Sequence, residues 1–214
     1  MALGVTTEGD RSHRPVRHHR SVTTGERGGR PAATSAHELA GVAQDLFLSR
    51  GYERTSIDDV AAAAGIGRRT FFRYFATKAD VLFLESPADV ARLRAALDAA
   101  PADEPVAAAV RRGVVAALAV APGDEVWARQ RAQLILEVPA LRAYAHTTFD
   151  AWRAAAADFT ARRLGLPADD VVPVAVGHAA LAASLAAHEH WIAHPDSDLG
   201  EVLTRAAELL VPDL

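Results

Sequence analysis

The segment 57–75 constrains the fold most, because a turn of three residues joins two short stretches that have helical periodicity. The first stretch, Ile57 to Ala64, predicts one helix, and the second, Arg68 to Phe75, predicts another. Gly65 opens the turn, and glycine reaches the left-handed backbone that such turns need without steric cost. Small alanines before the turn let the two helices approach closely, which predicts a helix-turn-helix arrangement.

The second of these stretches combines arginines with aromatic residues. Arg68, Arg69 and Arg73 can reach the phosphates or guanine edges of DNA. Four aromatic residues of the same stretch can anchor the helix to its own core: Phe71, Phe72, Tyr74 and Phe75. The pattern therefore indicates a DNA-binding helix, and an ordinary helical hairpin with a solvated basic face is the alternative.

Charge is distributed unevenly along the chain and favours a polyanionic partner on one side only. The 214 residues carry a net charge of −4, yet residues 1–78 are basic and residues 79–214 are acidic. Six arginines and hardly any large apolar residues occur in residues 1–30. Such a composition cannot bury enough apolar surface to fold, so we expect a disordered basic arm there.

The remainder of the chain also predicts helices and no strands. A first helix ends before Gly51, and Thr77 can cap a fourth that begins at Lys78. Further helices are predicted over 87–99, 106–120, 125–137, 139–164, 170–194 and 198–210. The expected fold is all-α with about nine helices. A three-helix DNA-binding domain would span 31–78, and a helical ligand-binding and dimerisation domain would span 79–214.

Several functional classes lack their sequence signals. The chain has no cysteine, which excludes a disulfide scaffold, a cysteine-ligated zinc site and a thiol nucleophile. It has no catalytic or nucleotide-binding motif, so we expect neither an enzyme nor a cofactor. No unbroken apolar run or leader is evident, which favours a cytoplasmic protein without a membrane span. His190 and His194 are spaced i, i+4 and could share a metal ion, so a metal-responsive regulator is an alternative.

Residues 33–78 resemble the TetR family of one-component repressors. The resemblance rests on Thr55-Ser56-Ile57, Asp59-Val60-Ala61, Ala64-Gly65-Ile66, Thr70-Phe71-Phe72, Tyr74-Phe75 and Thr77-Lys78. It implies a homodimer whose two recognition helices read a palindromic operator in double-stranded DNA. It assigns DNA contacts to Thr55, Ser56, Gly67, Arg68, Arg69, Thr70, Phe72, Arg73, Tyr74 and Lys78.

Three positions depart from the family's pattern. Gly67 stands where Ser or Thr usually caps the recognition helix, Phe72 replaces a frequent Tyr, and Arg69 replaces a frequent Gly or Pro. We infer that phosphate anchoring depends more on arginines here. It would also depend on Lys78, at the expected N-terminus of the fourth helix, where a phosphate is favoured.

Apolar and aromatic residues gather beside arginines in the two helices predicted over 125–137 and 139–164. Ligand pockets are mostly apolar with a few polar anchors, so we expect the effector there, although aromatic residues at this spacing are also typical of a core. The predicted ligand-binding residues are Trp127, Arg129, Arg131, Leu134, Tyr144, Phe149, Trp152 and His178.

The C-terminal half resembles the TetR subgroup that contains the mycofactocin-system regulator. The matching stretches include LILEVPALRA, ARRLGLP and HEHW. The resemblance implies an acyl-CoA-like effector and a four-helix dimer interface built from the last two helices. The candidate interface residues are Leu181, Leu185, Trp191, Leu203, Ala206 and Leu210. An all-α enzyme that handles acyl-CoA is the remaining alternative.

Overall fold

The structure is a computed structural model and describes residues 35–211. In that range ten α-helices and one 3₁₀ turn form the regular structure, with no strand, so the expected all-α fold is confirmed. The helices are α1 (Ala36–Arg50), α2 (Ile57–Ala63), α3 (Arg68–Tyr74), α4 (Ser86–Asp98), α5 (Val106–Ala117), α6 (Glu125–Glu137), α7 (Pro139–Tyr144), α8 (His146–Leu164), α9 (Val171–Ala193) and α10 (Leu199–Leu210). The 3₁₀ turn is Ala79–Leu82. The arm expected over 1–30 lies outside the described residues.

Side-chain caps begin both α1 and α2. The Ser35 hydroxyl accepts a hydrogen bond from the Glu38 N–H, and the Ser56 hydroxyl accepts one from the Asp59 N–H. In both pairs the acidic side chain accepts in return from the N–H of the cap residue. These reciprocal bonds satisfy N–H groups that the first turn of a helix leaves without partners.

The prediction of a helix that begins at Lys78 is wrong, because the chain forms only the single 3₁₀ turn there. The next α-helix starts at Ser86, with Pro87 in its first turn. Proline fits this position because its missing N–H would have no partner in a first turn.

The single helix predicted over 139–164 is divided at Ala145 into α7 and α8, which makes the helix count ten. Leu141 of α7 is buried with residues of α1 to α3, whereas Trp152 of α8 is buried in the other half of the molecule. Since the two segments pack into different cores, one continuous helix does not satisfy both.

A first apolar cluster joins α1–α3 to α6 and α7. Phe47 of α1 and Phe71 of α3 are buried in it, and Leu134 of α6 and Leu141 of α7 belong to the same cluster. The core of the N-terminal helices is therefore completed by residues that follow 50 or more positions later.

A second apolar cluster is built from α4, α5, α8, α9 and α10. Helix α9 lies at its centre and packs against α8, α10, α6 and α5. By length and composition alone α9 is a candidate membrane span, contrary to the expectation from the sequence. Its Val176, Ala180, Ala183 and Ala187 are buried against neighbouring helices, which is the packing of a core helix.

Gly177 marks a close approach of α8 and α9, and a larger side chain there should be costly. A Cβ at this position would lie 2.6 Å from the Arg153 carbonyl oxygen and 3.1 Å from the Ala157 Cβ. We expect Gly177→Ala to lower the free energy of unfolding by about 1–3 kcal/mol, because the helices must separate.

Gly41→Ala in α1 is the matched control for that substitution. A Cβ at Gly41 meets nothing within 4 Å, so the same change should raise the free energy of unfolding by about 0.5–1 kcal/mol. Urea unfolding of both variants measures the difference. Equal effects of the two substitutions would show that the α8–α9 contact is not tight.

Candidate functional site

The turn between α2 and α3 has the geometry that the glycine predicts. Gly65 has a φ of +68°. The Gly65 N–H donates to the Ala62 carbonyl, and the Ile66 N–H donates to the Ala61 carbonyl. This pair of bonds closes the end of α2 as a Schellman motif and directs the chain into α3. The two helices are thereby held as a rigid pair.

Helix α3 separates its side chains onto a buried and an exposed face. Phe71 is fully buried and Phe75, which follows the helix, is buried as well. Arg68, Arg69 and Arg73 are exposed. Thr70 and Tyr74 are half-buried at the margin, and Gly67 and Phe72 are exposed. The structure thus brings the basic residues of this helix together on one surface.

Two of the exposed arginines are held by neighbouring groups. The Arg68 guanidinium donates to both carboxylate oxygens of Asp58 at 2.9 Å and lies 5.3 Å from the centre of the Phe72 ring. The Arg73 guanidinium donates to the Tyr74 hydroxyl at 3.3 Å. Exposed contacts of this kind contribute little stability, so they orient the side chains and leave them available to DNA.

Thr55 does not lie on this surface, contrary to the expectation. Its side chain is buried and its hydroxyl donates to the Gly51 carbonyl at 2.9 Å, so it is not available to a phosphate. Ser56 is exposed, but its hydroxyl serves as the cap of α2.

Lys78 has a different role from the expected phosphate contact. Its ammonium donates to the carbonyls of Tyr52 at 2.7 Å and Thr55 at 2.9 Å, and lies 3.9 Å from the centre of the Tyr52 ring. Burial lowers the pKa of this ammonium below its usual value. Lys78 therefore fastens the turn between α1 and α2 and does not stand as an open charge at a helix N-terminus.

A cavity of about 560 Å³ lies among α4, α5, α6, α8 and α9. Most of its wall is apolar, and Trp127, Phe149 and Trp152 contribute aromatic surface. Leu181 and Leu185 of α9 line it as well, although they were expected at a dimer interface. Its volume lies within the usual range of small-molecule sites, about 300–1,000 Å³.

Four charged residues form the polar end of this cavity and are paired with one another. Asp89 is in contact with the Arg92 guanidinium and lies 4.0 Å from that of Arg131, which also lies 3.7 Å from Glu85. Burial raises the pKa of the Asp89 carboxyl, while Arg131 and Arg92 oppose that rise. The pairing leaves this group of four with no net charge.

His188 is a cavity residue that the sequence analysis did not assign to the ligand site. Its Nδ1 lies 2.7 Å from the Ser184 carbonyl, and burial lowers the pKa of the ring. Since a carbonyl only accepts, Nδ1 carries the proton and Nε2 remains an acceptor. The sequence does carry a signal for this assignment. Leu181, Ser184, Leu185 and His188 have the i, i+3, i+4, i+7 spacing that places residues on one face of a helix, and all four line the cavity.

Half of the predicted ligand residues lie elsewhere. The Arg129 guanidinium stacks 4.5 Å from the Trp191 ring and donates to the Ser197 carbonyl. The prediction that Leu134 lines the pocket is wrong, because it is buried in the first cluster. The Tyr144 hydroxyl donates to Asp80 of the N-terminal half.

The last two helices do not present all the expected interface residues to solvent. Trp191 and Leu203 are buried inside this chain, so they are not available to a second copy. Ala206 is partly buried against the second cluster, whereas Leu210 is exposed. His178 is also exposed, outside the cavity.

The four C-terminal histidines do not form one cluster. The rings of His190 and His194 stack with centres 3.9 Å apart, while His178 and His188 lie on other parts of α9. Among residues 35–211, no three His, Asp or Glu side chains are grouped as a metal ion would require.

Comparison with known families agrees with this geometry. Residues 41–84 match the family described as bacterial regulatory proteins of the tetR type, and residues 104–214 match the MftR C-terminal domain. The chain belongs to the TetR family. It is 34% identical over 182 residues to a Mycobacterium tuberculosis protein named "Putative mycofactocin biosynthesis transcriptional regulator MftR", which covers 85% of this chain and 92% of that relative.

Two solved structures of TetR-like regulators share the fold. FadR of Thermus thermophilus, solved with lauroyl-CoA, has a TM-score of 0.50 at 23% identity, over 82% of this chain and 93% of that chain. The fatty acid degradation regulator FadR of Bacillus halodurans has a TM-score of 0.58 at 15% identity, over 85% of this chain and 97% of that chain.

Membership of the TetR family establishes the general role of the chain. It is a DNA-binding transcriptional regulator of a family whose members respond to small-molecule ligands. Its relatives are regulators and not enzymes, which confirms that prediction and removes the enzyme alternative.

The two hydrogen bonds of the Lys78 ammonium predict that its removal destabilises this TetR-family chain. Lys78→Met should lower the free energy of unfolding by about 1–3 kcal/mol, because two carbonyls lose their donor. Arg73→Met is the control, since an exposed substitution usually changes stability by less than about 0.5 kcal/mol. Urea unfolding measures both, and a Lys78 variant as stable as the control would contradict the fastening role.

Proposed function

We propose that this chain is a homodimeric repressor that binds a palindromic operator through α3 and leaves it when an acyl-CoA-like effector fills the cavity. The observation that carries the proposal is that α6 belongs both to the cavity wall and to the core of the DNA-binding helices. Its Trp127 and Arg131 line the cavity, and its Leu134 packs in the core of the DNA-binding helices. A ligand that binds more tightly to one arrangement of α6 than to another shifts the regulator toward the arrangement that it prefers. It acts in the cytoplasm, where its operator lies.

The proposed DNA contacts lie on and around the exposed face of α3. Among the described residues, Arg69 makes no hydrogen bond or ion pair, which leaves its guanidinium open to a base edge. Arginine contacts with guanine are the commonest specific readout in the major groove. The full proposed set is Ser56, Gly67, Arg68, Arg69, Thr70, Phe72, Arg73 and Tyr74.

The proposed dimer forms through the outer faces of α9 and α10, which pack side by side. Val171 is 75% exposed and Leu209 is 74% exposed, and Val174 and Leu210 add further apolar surface. An apolar face on two adjacent helices suits a two-fold interface, in which the same patch of each copy meets its counterpart. Pairing there would hold the two α3 helices about one DNA turn, roughly 34 Å, apart.

The proposed effector has a long apolar part. The wall around Phe149, Trp152 and Leu185 suits an acyl chain, whereas Arg92 and Arg131 are already neutralised by acidic partners. The similar FadR of Thermus thermophilus was solved with lauroyl-CoA, which supports the same ligand class here.

Substitution of Arg69 tests the DNA-binding surface. Arg69→Ala should weaken operator binding by at least about tenfold, since one bidentate base contact is worth about 1–3 kcal/mol. Arg94→Ala, an exposed arginine of α4, is the control and should leave binding unchanged. A gel shift at fixed salt with an operator selected from random duplexes measures both, and equal affinities would remove Arg69 from the interface.

A chain-length series tests the effector. Acyl-CoAs of increasing length should bind with rising affinity, by up to about 0.8 kcal/mol for each buried CH₂, and should release the operator in the same order. Tryptophan emission and operator release are followed together. If free CoA acts as well as lauroyl-CoA, the acyl chain is not what the cavity recognises.

A further inference from the structure

Gln44 of α1 is a polar residue in an apolar core, and it is only half satisfied. Its side chain is 1% exposed, and its Nε2 donates to the Trp127 carbonyl of α6 at 3.0 Å. Its Oε1 is the one buried side-chain N or O atom in residues 35–211 that has no hydrogen-bond partner. An apolar residue of the same shape would avoid that penalty, so the amide is costly for a purely structural role.

The two ends of this hydrogen bond belong to two different regions, the core of the DNA-binding helices and the wall of the cavity. On one side, the neighbours of Gln44 on α1, Ala43 and Phe47, are buried in the same cluster as Phe71 of α3. On the other side, the Trp127 side chain lines the cavity, and the Arg131 guanidinium lies 5.3 Å from its ring. This bond therefore joins the cavity wall to the core that carries α3.

Other polar contacts between the N-terminal helices and the C-terminal half lie nearer to solvent. His37 of α1 lies 3.4 Å from Glu85, and Tyr144 of α7 contacts Thr77 and Asp80. Exposed contacts of this kind are screened by water and are weak. The Gln44 bond is shielded from water. Its loss or formation therefore changes the energy of the α1–α6 contact more than the loss or formation of an exposed contact does.

We propose that Gln44 is the positioning residue that transmits cavity occupancy to α3. In the operator-binding arrangement its amide holds the N-terminal part of α6 against α1. An effector that displaces Trp127 breaks this bond and frees α6 from α1. This inference rests on the proposed function, because it requires both a DNA-bound state and a ligand that opposes it.

The first experiment measures coupling with lauroyl-CoA as the probe. In Gln44→Met the operator affinity without lauroyl-CoA should fall toward the value that the wild type shows with lauroyl-CoA, because the bond that holds the operator-binding arrangement is missing. The affinity for lauroyl-CoA should rise, since its binding no longer has to break that bond. The factor by which lauroyl-CoA weakens operator binding should fall by at least about fivefold, the lower end of typical allosteric couplings. Gln44→Leu serves if the methionine variant does not fold.

His37→Ala is the matched control, because it removes another contact between α1 and the cavity wall. It should keep the full coupling factor. If the Gln44 variants keep the wild-type factor, or if His37→Ala lowers it equally, the assignment to Gln44 is wrong. A wild-type protein that binds DNA but ignores lauroyl-CoA would instead contradict the proposed effector.

A second experiment needs no effector and keeps the inference testable in that case. Coupling is reciprocal, so operator DNA must change the cavity wall if Gln44 connects them. Amide hydrogen exchange over residues 125–137 should slow on operator binding in the wild type and should not change in Gln44→Met. Unchanged exchange in the wild type, or equal slowing in both proteins, would overturn the proposal.

Discussion

The packing of α6 and α7 against α1 is the interaction on which the arrangement of the molecule depends. Leu134 and Leu141 are buried with Phe47 and Phe71, so the N-terminal helices do not complete their core alone. Burial of a leucine contributes about 1.5–3 kcal/mol, which makes these two side chains a strong link between the halves. Because Trp127 and Arg131 of α6 line the cavity, the same helix belongs to the DNA-binding core and to the ligand site.

Features that adjacent residues determine could be predicted from the sequence. The left-handed Gly65 and the exposed arginines of α3 follow from short patterns, and the structure contains both. A cap at Thr55 or Ser56 follows in the same way, and the structure has it at Ser56. The start of α6 at Glu125 was predicted as well, although the Asp124 side chain makes no cap hydrogen bond there. The all-α fold and the DNA-binding motif can therefore be predicted from the sequence.

Features that depend on distant residues could not be predicted in this way. Arg129 and Arg131 are two positions apart, yet only Arg131 points into the cavity, and its partners Glu85 and Asp89 come from another helix. Lys78 was expected to face DNA, but the carbonyls that hold it belong to a turn more than 20 residues earlier. Periodicity indicates that a face is apolar, and it does not say which neighbour covers that face.

The close contact at Gly177 divides the cavity wall into a fixed and a movable part. Helices α8 and α9 meet there with almost no space between backbone and side chain, and Trp152 and Leu185 extend from these two helices into the cavity. Two surfaces in such contact resist sliding, since close-packed interiors are poorly compressible. Expansion of the cavity is therefore expected on the side of α4, α5 and α6, and any movement of α6 displaces the core of the DNA-binding helices.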